Sequence, residues 1–187
     1  MLFSVPYPNL HTTKKAIKLV KEKVKNGRKK SSITIYDKII QLLKGIELTI
    51  IEHSPTYTSQ ESEADRGEDI SIGGKALVIK VDAMFGLYVL SADRVIDNKK
   101  LKDDFKAKKI RFATNEELDA LTWLPSGSIP PFGLPIFELN LYVDESILEN
   151  EYIAFNAGSL SKSIKMKVRD YIKVAKPTIM SFSVKST

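Results

Sequence analysis

The segment that most constrains the fold is Ala76-Leu77-Val78-Ile79-Lys80-Val81, an almost unbroken apolar run. It is too short for a buried helix and too apolar for a strand with one wet face, so it predicts a central strand covered on both sides. Residues 85–90 have the same character. Further strands are expected over residues 47–51, 109–113, 139–143, 152–156 and 163–167. Ile35, Ile39, Leu42 and Leu43 give residues 35–44 one apolar helical face, and Gly45 supplies the stop. Thr114-Asn115-Glu116-Glu117 and Thr58-Ser59-Gln60-Glu61 read as capping boxes, one opening a helix to Leu121, the other a short polar helix reaching Gly67. Helices are also expected over 98–105 and over 168–174, before Pro177. Strands and helices mix without regular βαβ alternation. The expectation is an α/β or α+β fold: a mixed, largely antiparallel sheet core with helices packed around it.

Charge divides the chain. Residues 1–32 hold nine Lys/Arg and one acid, Glu22, a net of +8; the remaining 20 Lys/Arg and 22 Asp/Glu leave −2. The basicity therefore belongs to a predicted helix over 12–26 and its linker, which reads as a contact for RNA phosphate or as a solvated helical face. This predicts a basic helical extension over 1–32 and a main domain over 33–187. No apolar run approaches membrane-spanning length, and the opening is too proline-broken for a secretory leader. A cytoplasmic location is expected, with organelle targeting by the Lys-rich start the alternative.

The chain has no cysteine and two histidines, His11 and His53. That removes disulfides, thiolate nucleophiles and Cys-ligated zinc. His53 lies between a strand and a proline turn, where a general base is conceivable, but no Ser or Asp stands at a recognised motif spacing from it and no G-x-S-x-G elbow exists. There is no Walker loop, G-x-G-x-x-G or H-E-x-x-H. No cofactor and no metal are expected.

Three segments could carry chemistry. Lys75 follows Gly73-Gly74 at the start of the central strand; its ammonium either runs to water or reaches a cleft, where it could hold a phosphate or ribose oxygen. Lys80, five residues on, should face the other side of the sheet. Gly127-Ser128-Ile129-Pro130-Pro131-Phe132-Gly133 is either a rigid connection or a ligand-binding loop whose Gly127 and Ser128 amides are open to an oxyanion. Asn156-Ala157-Gly158-Ser159 ends a predicted strand, as an ordinary turn or a pocket wall.

Taken in order, these segments resemble the YbaK/ProX-like family of aminoacyl-tRNA editing domains. His53-Ser54-Pro55-Thr56-Tyr57-Thr58-Ser59-Gln60-Glu61 resembles its E-H-P-x-Y-T-S-E opening, and Arg66-Gly67 with Gly73-Gly74-Lys75-Ala76-Leu77-Val78 its R-G … G-A-K-A-L-V segment. Ser91-Ala92-Asp93-Arg94, Lys109-Ile110-Arg111-Phe112-Ala113, the Gly127 loop, Val143-Asp144-Glu145-Ser146 and Asn156-Ala157-Gly158-Ser159 continue the series. The likeness spans residues 46–175 and omits 1–32. Ser91 replaces a frequent proline, and Trp123-Leu124-Pro125 a Gly-containing run, which bears on pocket shape.

The resemblance implies a YbaK/ProX-like fold and a deacylase that hydrolyses misacylated tRNA. It implies Lys75 as the essential lysine. Gly127, Ser128, Ile129, Pro130 and Pro131 would receive the aminoacyl group and terminal adenosine; Asn156, Gly158 and Ser159 would line the same pocket, with Thr56, Tyr57 and Thr58 near its mouth. The partners implied are the aminoacylated 3′ end of tRNA and, in some settings, a synthetase; the alternative is a non-catalytic tRNA- or synthetase-binding module of the same fold. Ala, Cys, Ser and Pro esters are the candidate substrates.

Overall fold

A computed structural model describes residues 33–54 and 69–186. The helices expected over 12–26 and 58–67 lie outside them. Helix α1 (Ile35–Leu42) leads to β1 (Leu48–Glu52); a 3-10 turn (Ile70–Ile72) precedes β2 (Gly74–Val81), β3 (Met84–Ser91) and β4 (Arg94–Ile96). Helix α2 (Asn98–Asp104), β5 (Ile110–Phe112) and α3 (Asn115–Thr122) come next. After the glycine-proline loop come β6 (Asn140–Asp144), a 3-10 turn (Glu145–Glu149), β7 (Tyr152–Asn156), β8 (Lys162–Lys167), α4 (Val168–Ala175), β9 (Thr178–Met180) and β10 (Ser183–Lys185).

The strands form a five-stranded sheet in the order β5-β2-β3-β6-β9, a three-stranded sheet β1-β8-β7 and a β10-β4 pair. The large sheet is mixed: β2 runs antiparallel to both β3 and β5, whereas β6 is parallel to β3 and β9. Both faces are covered, which explains the apolar run. Val78, Leu87, Val89, Leu141 and Val143 turn into a core shared with Ile153, Phe155, Ile164 and Met166 of the small sheet, Ile39 of α1 and Tyr171 of α4. Ile79, Val81, Tyr88, Leu90 and Tyr142 turn the other way, onto Leu101 of α2, nearby Phe105, and Phe182. Side chains alternate along a strand, so a strand between two cores must be apolar at nearly every position.

Both helix boundaries with capping boxes have local causes. Thr114 Oγ1 accepts from the Glu117 amide at 3.3 Å and Glu117 Oε2 accepts from the Thr114 amide at 2.9 Å. Thr34 and Asp37 form the same reciprocal pair at the start of α1. That helix stops at Leu42, two residues before the expected end, because Leu43 and Gly45 turn the chain toward β1. Strands β4, β9 and β10, of three residues each, were not expected. The last two are tied down by Asp144, whose carboxylate accepts from the Phe182 amide at 2.6 Å, the Ser183 hydroxyl at 2.7 Å and the Ser146 amide at 3.0 Å. Burial works to raise the Asp144 pKa, but these hydrogen bonds outweigh it and leave the group below the usual carboxylate range.

Candidate active site

Helix α3 ends at Trp123 in a left-handed conformation, and the chain enters the Gly127 loop. Gly127 itself has φ +86°, which a side chain would strain. It is exposed, but Ser128, Ile129, Pro130, Pro131 and Phe132 are all buried. Phe132 anchors the loop: it is fully buried and meets Phe155 and Tyr171 edge-on, each at 5.5 Å between ring centroids. Tyr171 is also fully buried and donates its hydroxyl to the Pro131 carbonyl at 2.8 Å. Burial pushes its phenol above the ordinary tyrosine pKa, so this donor stays protonated.

The turn after β7 closes on this loop. Asn156 Nδ2 donates to the Gly127 carbonyl at 2.8 Å, and the Gly158 amide donates to the Ser128 carbonyl at 3.1 Å. Gly158 has φ +77°, and a Cβ there would lie 3.0 Å from Ile35 Cγ2, so the turn is wedged against the start of α1. Ser159 Oγ bonds Ser161 Oγ at 3.1 Å and closes the turn on itself. Gly127, Ser128, Asn156 and Gly158 are thus brought together, with Ser159 on the adjoining turn. Ile129, Pro130 and Pro131 form the buried floor that fixes them. Thr56, Tyr57 and Thr58 lie outside the described residues.

Two expectations change in detail. The Ser128 amide is not open: it donates to the Pro125 carbonyl at 3.3 Å, and the Ser128 hydroxyl donates to the same oxygen at 2.9 Å. Among the described residues the Gly127 amide has no acceptor, so it is the loop donor open to a ligand. Lys75, second residue of β2, gives its ammonium to the carbonyls of Ala92, at 3.0 Å, and Arg94, on the β3–β4 turn. It shares a face with Leu77 and Ile79, toward the second core. Lys80 takes the opposite face, as alternation requires, 3.6 Å from Glu117 Oε1 and over the Phe85 ring. These hydrogen bonds hold Lys75 on a different turn from the Gly127 loop. An isolated parallel bridge, Gly73 to Ala154, nevertheless sets the start of β2 beside β7, two residues before Lys75 on one strand and before Asn156 on the other.

Two further residues join the site: Ser163, which the sequence did not single out, and His53, which it offered only as a conceivable base and as the start of the opening segment. Ser163 on β8 donates to Asn156 Oδ1 at 2.8 Å, and His53 Nε2 lies 2.8 Å from Ser163 Oγ. The pairing of β1 with β8 makes this contact across 110 residues of sequence. The matching β-patterns of residues 47–51 and 163–167 were the only signal, and periodicity does not say which strands pair. A separate apolar groove of about 630 Å³, lined by Leu42, Leu134, Leu139 and Leu141 among others, contains none of these residues. Among the described residues no three His, Asp or Glu side chains gather as a metal site, and no helix is long and apolar enough to cross a membrane.

A sequence profile of the aminoacyl-tRNA editing domain matches residues 53–174, which contain every segment of this clasp. The chain belongs to that family. It is 32% identical over 160 residues to the multifunctional Ser/Thr-tRNA deacylase ProXp-y of Escherichia coli (strain K12), a match covering 82% of this chain and 95% of that one. It is 28% identical over 137 residues to the prolyl-tRNA editing protein ProX of Acetoanaerobium sticklandii, covering 70% and 83%. Its fold matches a solved candidate trans-editing enzyme for prolyl tRNA synthetase with a TM-score of 0.69, at 20% identity, over 84% of this chain and 100% of that one. In this editing domain the family segments are not scattered landmarks. The Gly127 loop and the Asn156 turn are one structure, clasped by two hydrogen bonds.

Proposed function

We propose that this editing domain hydrolyses the ester that joins a wrong amino acid to the 3′ end of tRNA. The observation that carries the reading is the clasp of Asn156 and Gly158 on the Gly127 and Ser128 carbonyls. It fixes an exposed glycine backbone at one end of a rigid, buried loop, in a chain 32% identical to a protein named as a deacylase. An aminoacyl ester is already activated, so the protein needs to orient it, offer a donor to the carbonyl oxygen and admit water. The Gly127 amide supplies the donor. Lys75 holds the terminal phosphate or a ribose hydroxyl, supported by the bridge that sets its strand beside β7. It does so by exchanging a turn carbonyl for a substrate oxygen. Asn156, Gly158 and Ser159 wall the same end, with Thr56, Tyr57 and Thr58 at the mouth. A ribose hydroxyl of the substrate assists the attacking water.

The substrates are small esters. A synthetase rejects an analogue lacking a methylene by only about 1–3 kcal/mol, so a compact second pocket can clear what it misses. The name of one relative, a Ser/Thr-tRNA deacylase, adds Thr to the Ala, Cys, Ser and Pro esters that the family resemblance implies. The basic segment 1–32 contacts tRNA phosphates, the synthetase that makes the error is the partner that supplies the substrate, and the work belongs to the cytoplasm, where tRNA is charged. The test is deacylation of misacylated tRNA by wild type beside Lys75→Ala and Lys75→Met, each checked for folding. Turnover lost in both folded variants is expected. Turnover equal to wild type would remove Lys75 from the mechanism.

A further inference from the structure

The hydrogen bonds that reach Gly127 can be read in one direction only. The Gly127 carbonyl oxygen accepts and cannot donate, so the Asn156 atom 2.8 Å from it is Nδ2. That leaves Asn156 Oδ1 facing Ser163 Oγ at 2.8 Å, and an amide oxygen also only accepts. Ser163 therefore gives its single hydroxyl hydrogen to Asn156. His53 Nε2, 2.8 Å from the same Oγ, must then be the donor there. On the other side of the ring, Nδ1 lies 2.8 Å from the Ser54 carbonyl oxygen, again an acceptor only. Both ring nitrogens face acceptors, whereas a neutral imidazole carries one N–H.

We propose that His53 is a positioning residue of the editing site, whose doubly protonated ring completes a hydrogen-bond chain through Ser163 and Asn156 that holds the Gly127–Ser128 peptide. The other edge of that peptide is held by the Ser128 amide on the Pro125 carbonyl. If the ring loses its second proton, one of its two contacts has no hydrogen. Ser163 can then turn its hydrogen to Nε2, which abandons Asn156 and loosens its grip on the Gly127 carbonyl. The charged groups flanking the ring on its two strands are Glu52 of β1 and Lys162 of β8, which pair with each other at 2.9 Å. Strand β7 carries none between Tyr152 and Asn156.

The activity readout rests on the deacylase reading; the spectroscopic one does not. His53→Gln places an amide nitrogen near the position of Nε2 and donates without titrating, whereas His53→Ala and Ser163→Ala break the chain. His53→Gln, which still offers Ser163 a donor, is expected to keep most of the wild-type kcat. His53→Ala and Ser163→Ala lower kcat about tenfold or more at every pH, with KM little changed, because misplacing a reacting group is felt in the chemical step. A His53→Ala enzyme with wild-type kcat, or a His53→Gln enzyme as slow as His53→Ala, overturns the proposal. Independently of tRNA, the chain has two histidines, so His11→Gln leaves His53 alone. Its ¹⁵N-imidazole spectrum at about pH 6 should show two slowly exchanging N–H signals, the Nε2 one lost in Ser163→Ala. A single N–H signal overturns the proposal. Two signals in a chain that hydrolyses no ester leave it standing and defeat the deacylase reading instead.

Discussion

Tyr171→Phe isolates one hydrogen bond beneath the candidate site. The phenol is fully buried, its hydroxyl 2.8 Å from the Pro131 carbonyl, and its ring lies 5.5 Å from that of Phe132. Phenylalanine keeps the ring and its edge-on contacts and removes only the oxygen. The loss is one neutral hydrogen bond, about 1 kcal/mol, plus a share of the penalty for leaving a buried carbonyl without a donor. Together these come to about 2 kcal/mol, which in a chain of this size lowers Tm by about 4–8 °C. Urea unfolding should show the same loss with an unchanged slope, since no extra surface is exposed. Deacylation per folded molecule should fall by less than about fivefold, because Phe132 and Asn156 still hold the loop at both ends. Tyr171→Ala, by contrast, empties the space between Phe132 and Phe155 and should cost about 3–5 kcal/mol. A Tyr171→Phe protein within about 0.5 kcal/mol of wild type, the scatter of a surface change, would refute the claim that this hydroxyl secures the loop.

Other perturbations follow from the same contacts. Gly158→Ala combines a left-handed backbone with a Cβ 3.0 Å from Ile35; it should cost about 1–2 kcal/mol in urea unfolding and slow deacylation by shifting the clasp on Ser128. Arg111 grips Glu117 through two nitrogens, at 2.6 and 2.7 Å. This pairing, helped by the Thr114 amide and opposed by burial, lowers the Glu117 pKa from 4.5 to about 2. A depressed carboxylate stabilises the fold above its unfolded pKa and stops doing so as pH falls through the folded one. Arg111→Gln should therefore lower stability at neutral pH, with the gap to wild type closing between pH 4.5 and about 2 in acid titrations of stability. Lys75→Met removes the ammonium from the Ala92 and Arg94 carbonyls; a stability loss of about 1–3 kcal/mol by thermal unfolding is expected, and no loss would show that the lysine does not hold that turn.

The two-sided sheet was readable because it leaves a local mark: a strand between two cores cannot afford a polar face, so residues 76–81 and 85–90 announce it. The capping box at Thr114 is local too, four residues that answer one another. Strands β4, β9 and β10 leave no such mark, since three residues do not establish a period; the last two depend on Asp144 reaching the Phe182 amide and Ser183 from 38 and 39 residues away, and β4 on pairing with β10. The site shows the same division. Its motif segments at Gly127 and Asn156 were visible as sequence, but their clasp spans 29 residues and is made by tertiary contact. That the Ser128 amide is taken by Pro125 depends on how tightly the loop turns. The link from His53 to Asn156 depends on β1 pairing with β8, and a lone histidine beside a proline turn reads in sequence only as a possible base. For Lys75, the strand position was legible and the destination of its ammonium was not.

The most direct measurement is the hydrolysis of Ala, Cys, Ser, Thr and Pro esters of tRNA by catalytic amounts of the wild-type chain, with a bulky cognate ester as control and tRNA binding followed in parallel. Rapid release of one or more of the small amino acids, with the bulky ester untouched, is the predicted result. Binding of tRNA with no ester hydrolysed would contradict the account and make the chain a module that recruits tRNA without acting on it.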